Sequence, residues 1–305
     1  MEASAPYPDV VALDDGGVSV FSPAKINLGL RVMGRRPDGY HELDTVFQEI
    51  SWTDQIDFHP ATEWSLEVRG LELDNGESNL ITRAAFLLSH YSTMLCKARV
   101  VLHKSIPMGG GLGGGSSNGA ITLIGLSRLW GLDWPIERLH PIAEEIGSDC
   151  PFFLYGGMAR GMGRGERLTL LSGCHPGLAL LVVPPYGIST GWVFEQGGFP
   201  LTDDEKNAIF KFCPDSDFEP GTPFWRICND LENIVLNKYP DLLDIRRRLL
   251  DLGAEAAALS GSGSTVFGLF QEYSRAMHAA QQFESPFQTR ICRMVSRRRT
   301  DSPAA

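Results

Sequence analysis

Long apolar runs are missing from this sequence. None approaches the ~18 residues a membrane-spanning helix needs, so no membrane partner is expected. Paired cysteines are missing too: Cys96, Cys150, Cys174, Cys213, Cys228 and Cys292 are scattered with no C-x-x-C pair. That pattern reads as free thiols in a cytoplasmic protein. No His/Cys/carboxylate cluster marks a dedicated metal site. Excess positive charge is absent, the formal net charge being −10, which argues against broad nucleic-acid binding but allows a local basic pocket. The opening MEASAPYPDV has neither the basic region and apolar core of a secretory signal nor the arginines of a transit peptide, so a cytoplasmic location is expected. What is present is an ordinary globular composition, 43% hydrophobic and 21% charged over 305 residues. It suits two domains or one large one, with a sizeable core.

Residues 107–120, PMGGGLGGGSSNGA, carry the most information, with six glycines between Gly109 and Gly115. Upstream, Ala98 to His103 reads as a strand; downstream, Asn118 to Trp130 has helical spacing. Strand, glycine loop and helix in that order bring unpaired N–H groups to the positive end of a helix dipole, where phosphate binds. A P-loop is excluded, because no lysine precedes Ser116 or Ser117. Gly109, Gly111 and Gly114 match G-x-G-x-x-G, but Asp133, the nearest acidic residue at the required distance, follows a helix rather than closing a strand. A flexible linker has no use for Pro107 or Leu112.

Along the chain, Val18 to Met33 reads as one long strand or two in sequence. Val46 to Phe58 and Trp64 to Val68 read as further strands, and Asn79 to Tyr91 as a helix. Pro135 to Ile146 is another helix, kinked or divided by Pro141 and ended by Gly147. The glycine-rich stretch Gly156 to Gly165 reads as the crossing between domains. Strands are expected at Arg167 to Leu171, Ala179 to Val183 and Thr289 to Val295. Helices are expected at Asp203 to Phe212, Leu231 to Lys238, Leu242 to Leu252 and near Glu272 to Phe283. A second small-residue loop, within Leu259 to Phe270, enters an apolar strand. The class is α+β.

The order P-x-G-x-G-L-G-[GS]-S-S in the loop resembles the galactokinase, homoserine, mevalonate and phosphomevalonate (GHMP) kinases. Four further segments, SPAKINLGL (22–30), PDGYHELDTVFQ (37–48), GSDCPFF (147–153) and LSGSGSTVFG (259–268), stand in the order found in its 4-diphosphocytidyl-2-C-methyl-D-erythritol kinase branch. D-G-Y-H carries most of that specificity, and the resemblance runs from about Val18 to about Val295.

The resemblance implies a two-lobed kinase that phosphorylates a methylerythritol hydroxyl from ATP, with Mg²⁺ carried on the ATP. The ATP-binding lobe would span 1–163, joined by a returning C-terminal strand near 287–296. The substrate lobe would span 164–286, and 297–305 would be a frayed tail. Oligomeric state is left open.

Within that resemblance Asp149 matches the catalytic aspartate and Lys25 its partner. A lysine inside an apolar strand needs a carboxylate, and it could orient Asp149, acidify the hydroxyl or stabilise the transferring phosphoryl. Asn27 shares its strand face and would help hold the substrate hydroxyl or Asp149. Pro107, Gly109, Gly110, Gly111, Leu112, Gly113, Gly114, Gly115, Ser116 and Ser117 form the phosphate loop, the serines donating to phosphate or ligating Mg²⁺. Asn79 and Lys104 match adenine-side residues, Asn79 equally reading as a helix N-cap. Tyr40 and Phe194 match the two faces of a cytosine clamp, with His41 on the base edge and Thr190 on the helix face of Phe194. Gly261 and Gly263 would approach the substrate or the phosphate loop. N-D-L-E at Asn229 to Glu232 reads as structural. Cys150 departs from the family's usual Val or Ile.

Overall fold

The computed structural model describes residues 9–71, 79–172, 177–197 and 227–296. The helix expected at Asp203 to Phe212, residues 297–305, Cys174 and Cys213 lie outside them.

Two long antiparallel strands form the spine: β2 (Val18–Arg35) and β3 (His41–His59), joined by a turn at Asp38-Gly39, where Gly39 takes φ +87°. Val18 to Met33 is thus one strand. β3 starts five residues before the expected Val46, which puts His41 in the sheet. β1 (Val10–Ala12) pairs with β2, and β5 (Ala98–Lys104) joins β3 to β4 (Trp64–Gly70). The other half of β3 pairs with β6 (Met158–Gly163), and β6 with β7 (Arg167–Leu171). Gly156 to Gly165 is therefore not a crossing between lobes. Most of it is a strand of the larger sheet, its small residues packing where Phe47 lies 2.6 Å from the Cβ position of Gly161.

Helices α1 (Leu80–Ser92), α2 (Gly114–Leu129), α3 (Ile136–Ile146) and α4 (Cys150–Tyr155) cover one face of this sheet. Phe58, Ile81, Leu88, Leu102, Leu123 and Phe152 bury together there. Pro141 sits inside α3 without dividing it.

The smaller sheet is antiparallel, in the order β10 (Ala256–Leu259), β11 (Val266–Phe270), β8 (Leu178–Val183), β12 (Gln288–Arg293). The expected return of the C-terminal strand to the first lobe needs correction. β12 pairs with β8 over its whole length, and only its exit reaches the larger sheet, through the bridge between Met294 and Ile50. Outer helices α5 (Thr190–Glu195), α6 (Glu232–Lys238), α7 (Pro240–Asp251) and α8 (Tyr273–Ala280) complete the described elements with β9 (Cys228–Asn229), which runs parallel to β2.

The layers are helices, large sheet, small sheet, helices. Ala24, Ile26, Leu28, Ile50 and Trp52 meet Leu181, Phe267 and Leu269 between the sheets. One irregularity places the site. The β2–β3 register shifts between Pro23 and Ala24. Before it the even-numbered Val18 and Val20 face the helices; after it the even-numbered Ala24, Ile26 and Leu28 face the small sheet. A bulge changes the side a strand presents, and this one leaves Lys25 and Asn27 on the helix side.

Candidate active site

Lys25 is 4% exposed. Its Nζ donates to Asn27 Oδ1 at 2.7 Å and to the Gly111 carbonyl at 3.0 Å. It lies 3.7 Å from Asp149 Oδ2, an ion pair longer than a hydrogen bond, and 5.7 Å from the centre of the Phe47 ring. Burial pushes its pKa below the ordinary lysine value, and the Asp149 charge opposes that push. Asn27 is oriented in turn by its Nδ2, which donates to Thr45 Oγ1 at 2.7 Å. Asp149 stands at the N-terminus of α4 without capping it, and its side chain is one-third exposed. One group of the pair is thus buried and the other open to a ligand.

The glycine loop takes positive φ at Gly109, Gly111 and Gly113. Its carbonyls turn back into the protein. Gly109 accepts from Ile188 N (3.0 Å) and Ser264 N (3.2 Å), Gly110 from Thr265 N (3.2 Å), and Leu112 from Lys25 N (3.0 Å). Gly111 accepts from Ser260 Oγ at 2.9 Å as well as from Lys25. A Cβ on Gly111 would lie 1.9 Å from the Ser260 carbonyl, so this glycine is required by the second lobe whatever is bound. At Gly115 the nearest atom to a Cβ is Leu80 Cδ1 at 3.9 Å, and the residue is exposed. α2 begins at Gly114, four residues before the expected Asn118, with Gly113 at the N-cap. The first-turn N–H groups of Gly114, Gly115 and Ser116 therefore lack intrahelical acceptors and lie at the positive end of the helix.

Two residues expected in the nucleotide pocket lie beneath it. Ser117 is fully buried, and its hydroxyl accepts from Ser22 Oγ at 2.7 Å. Lys104, 5% exposed, donates to Asp54 Oδ2 at 2.7 Å and to the Ile106 carbonyl at 2.6 Å. Asn79 is the N-cap of α1, accepting from Ile81 N at 2.9 Å. Pro107 is half-buried where β5 enters the loop, and Ser116 is half-buried on the first turn.

At the far end, His41 and Phe194 are stacked, ring centres 5.1 Å apart and planes 26° from parallel. Tyr40, at 55% exposed, has the Arg164 guanidinium 5.0 Å from its ring centre. The structure thus brings Phe194 to His41, whereas Tyr40 presents its ring to Arg164. Burial and the Arg35 charge push the His41 pKa down, so the ring is neutral near pH 7. Thr190 Oγ1 meets Ser262 Oγ at 2.8 Å, tying α5 to the loop that carries Gly261 (φ +55°) and Gly263 (φ +81°). The Cβ position of Gly261 is 3.4 Å from Lys25 Nζ, while that of Gly263 faces Leu259 and Ile188. Only Gly261 of this pair borders the site.

N-D-L-E holds that loop in place. Asn229 Nδ2 donates to the carbonyls of Leu259 (2.9 Å) and Gly261 (2.7 Å). Asp230 accepts from Arg31 and from Val32 N, and Glu232 accepts from Leu259 N at 2.7 Å. Cys150 is buried, its thiol pushed up to about 12 by burial and by the Asp149 charge, so it is inert at neutral pH.

Sequence reasoning passed over Arg164, Asp54, Ser22 and Asn118. Asp54 carried no distinct signal, since Glu49 and Asp57 stand in the same strand. Arg164, between Gly163 and Gly165, carried a charge in a tight turn. Among the described residues no group of three or more His, Cys, Asp or Glu side chains is arranged to hold a metal ion, and no helix is long and apolar enough to cross a membrane.

Residues 79–157 match the GHMP kinases N terminal domain and residues 223–289 the GHMP kinases C terminal domain. The 4-diphosphocytidyl-2-C-methyl-D-erythritol kinase of Pelotomaculum thermopropionicum is 38% identical over 271 residues, covering 87% of this chain and 93% of that protein. The enzyme of that name from Chlorobium phaeobacteroides is 40% identical over 275 residues, 88% of this chain and 95% of its own. The crystal structure of a 4-(cytidine 5'-diphospho)-2C-methyl-D-erythritol kinase superposes with a TM-score of 0.71 at 34% identity, over 90% of this chain and 98% of that one. Homoserine kinase from Cytophaga hutchinsonii shares the fold, with a TM-score of 0.68 at 14% identity over 93% and 99% of the two chains.

Proposed function

The chain belongs to the 4-diphosphocytidyl-2-C-methyl-D-erythritol kinases of the GHMP family, and we propose how its residues serve that reaction. The reaction is ATP-dependent phosphorylation of the 2-hydroxyl of 4-diphosphocytidyl-2-C-methyl-D-erythritol, on the methylerythritol phosphate route to isoprenoid precursors. The observation that carries the assignment of roles is the convergence of Lys25, Asn27, Asp149 and the Gly111 carbonyl at the loop that starts α2.

The ATP phosphates lie over the first turn of α2, held by the N–H groups of Gly114, Gly115 and Ser116. The adenine is bordered by Asn79 at the head of α1. The substrate hydroxyl sits against Asp149. Its oxygen attacks the γ-phosphorus, its proton passes to the Asp149 carboxylate, and ADP leaves with the electron pair of the broken bond. Lys25 holds Asp149 by charge and stabilises the phosphoryl group in transit; Asn27 fixes the Lys25 ammonium. Mg²⁺ bound with ATP supplies charge neutralisation at the phosphates. The half-buried Ser116 hydroxyl on the first turn of α2 would be the oxygen donor this chain offers it, in keeping with a hard cation that keeps few protein ligands beside a nucleotide.

The cytosine inserts between Tyr40 and Phe194. His41 then leaves the Phe194 face and turns to the base edge, where a neutral imidazole can donate one hydrogen bond and accept another.

A coupled ADP-release assay tests the reading, with the cytidylylated methylerythritol, mevalonate, homoserine and galactose offered in parallel. Turnover with the cytidylylated compound alone is expected. Turnover with one of the others instead would overturn the substrate assignment.

A further inference from the structure

One of the most deeply buried charges of the larger sheet is one the proposed reaction does not use. Asp54, 1% exposed, stands on β3 beneath the start of the glycine loop. Its Oδ1 accepts from the N–H groups of Ser105 (2.7 Å) and Ile106 (2.8 Å), the two residues before Pro107. Its Oδ2 accepts from Lys104 Nζ (2.7 Å) and Asn118 Nδ2 (2.9 Å). Asn118, on α2, also donates to Ser22 Oγ at 2.9 Å, and Ser22 donates to Ser117 Oγ. One carboxylate therefore ties together β3, the exit of β5 and the first turns of α2, with β2 joined through Ser22.

Two features set this network apart from ordinary packing. A buried ion pair carries a desolvation cost that apolar residues of the same volume avoid. In addition, Asn118 Oδ1 is buried with no hydrogen-bond partner among the described residues, a further cost. Turning the amide over would set its oxygen against Asp54 Oδ2, so the carboxylate dictates the orientation that leaves the oxygen unpaired. The Cβ position of Gly114 is 3.1 Å from Lys104 Nζ, which puts the pair directly under the turn whose N–H groups face outward.

We propose that Asp54 is a positioning residue for ATP: through Lys104, Ile106 and Asn118 it fixes the glycine loop and the α2 N-terminus in the spacing that receives the phosphates. This rests on the reading of that turn as the phosphate site. The network contains no residue that touches the acceptor, so it acts on ATP and leaves acceptor binding alone.

The test is steady-state kinetics of Asp54→Asn in the full chain. The substitution keeps size and the two backbone bonds at Oδ1, but sets an NH₂ against the donors of Lys104 and Asn118. A rise of at least ~10-fold in KM for ATP is expected, with KM for the acceptor held within about twofold. A purely structural role would lower kcat with the active fraction and leave both KM values in place; that result, or a parallel rise in both, overturns the proposal. If Asp54→Asn does not fold, Ser22→Ala and Asn118→Ala decide. Each removes two hydrogen bonds of the network and should raise KM for ATP by at least about 2-fold, the lower weight of one net hydrogen bond, and an unchanged value in both overturns the proposal. Failure of the wild-type protein to bind ATP would instead refute the phosphate-site reading itself.

Discussion

Lys25 Nζ lies 3.7 Å from Asp149 Oδ2 but makes its short hydrogen bonds to Asn27 and to the Gly111 carbonyl. The lysine is thus anchored to the strand and the glycine loop, and the aspartate is held by charge across a gap. A carboxylate so placed keeps its lone pairs for a hydroxyl while remaining next to a cation that stabilises developing negative charge. The loop carbonyl that fixes Lys25 also accepts from Ser260 beside the smaller sheet, so both sheets contribute to the placement of the lysine.

A pH profile follows from the burial of Lys25. Desolvation lowers its pKa from 10.5, with Asp149 opposing. The cation is present below that lowered pKa and lost as pH rises through it, so kcat should fall on an alkaline limb centred below 10.5. In Lys25→Arg the guanidinium stays protonated; activity is reduced, but the limb should vanish. An identical limb in both proteins assigns it to another group.

Gly115 gives a clean probe of the phosphate site, because the space beyond it is open and its backbone is helical. Gly115→Val improves helix propensity by a few tenths of a kcal/mol, so the thermal midpoint should hold or rise. ATP affinity by calorimetry should drop at least ~10-fold, and adenosine affinity much less, since the turn meets phosphates and not the base. Equal ATP affinity in variant and wild type moves the phosphates elsewhere. Gly111→Val cannot serve, since it breaks the contact with Ser260 in any state.

The path from sequence to site was uneven. Apolar patterning reveals β2, a continuous apolar run reveals β8, and the glycine loop reveals the strand-to-helix junction, because these signals are local. The side on which Lys25 projects was hidden, since a register shift at Pro23/Ala24 sets it and β3 supplies half of that shift. At β6 the Gly-rich composition suggests a connection, whereas its small residues make room for Phe47. The burial of Lys104 and Ser117 depended on Asp54 and Ser22, partners 50 and 95 positions away in the chain. The stacking of His41 on Phe194 joins residues of different lobes, a relationship that no spacing within one segment encodes.

Removal of either clamp ring should act on the acceptor and not on ATP. Base–aromatic stacking contributes about 1–3 kcal/mol per ring, so Tyr40→Ala and Phe194→Ala should each raise acceptor KM by roughly 5- to 150-fold. His41→Ala should narrow the preference for cytidine over uridine acceptors, because an edge contact tells bases apart and a stacked face does not. Unaltered acceptor KM in both aromatic variants leaves a GHMP kinase whose base clamp lies elsewhere.

The most direct test of the account is single-turnover phosphoryl transfer by Asp149→Asn at saturating ATP and acceptor. The amide keeps the shape of the carboxylate but loses its charge and basicity. Transfer should slow by at least ~100-fold, with ATP affinity by calorimetry and the circular dichroism spectrum unchanged. Transfer at close to the wild-type rate by that folded variant would remove Asp149 from the chemistry, and with it the role of Lys25 as the cation that holds the catalytic carboxylate.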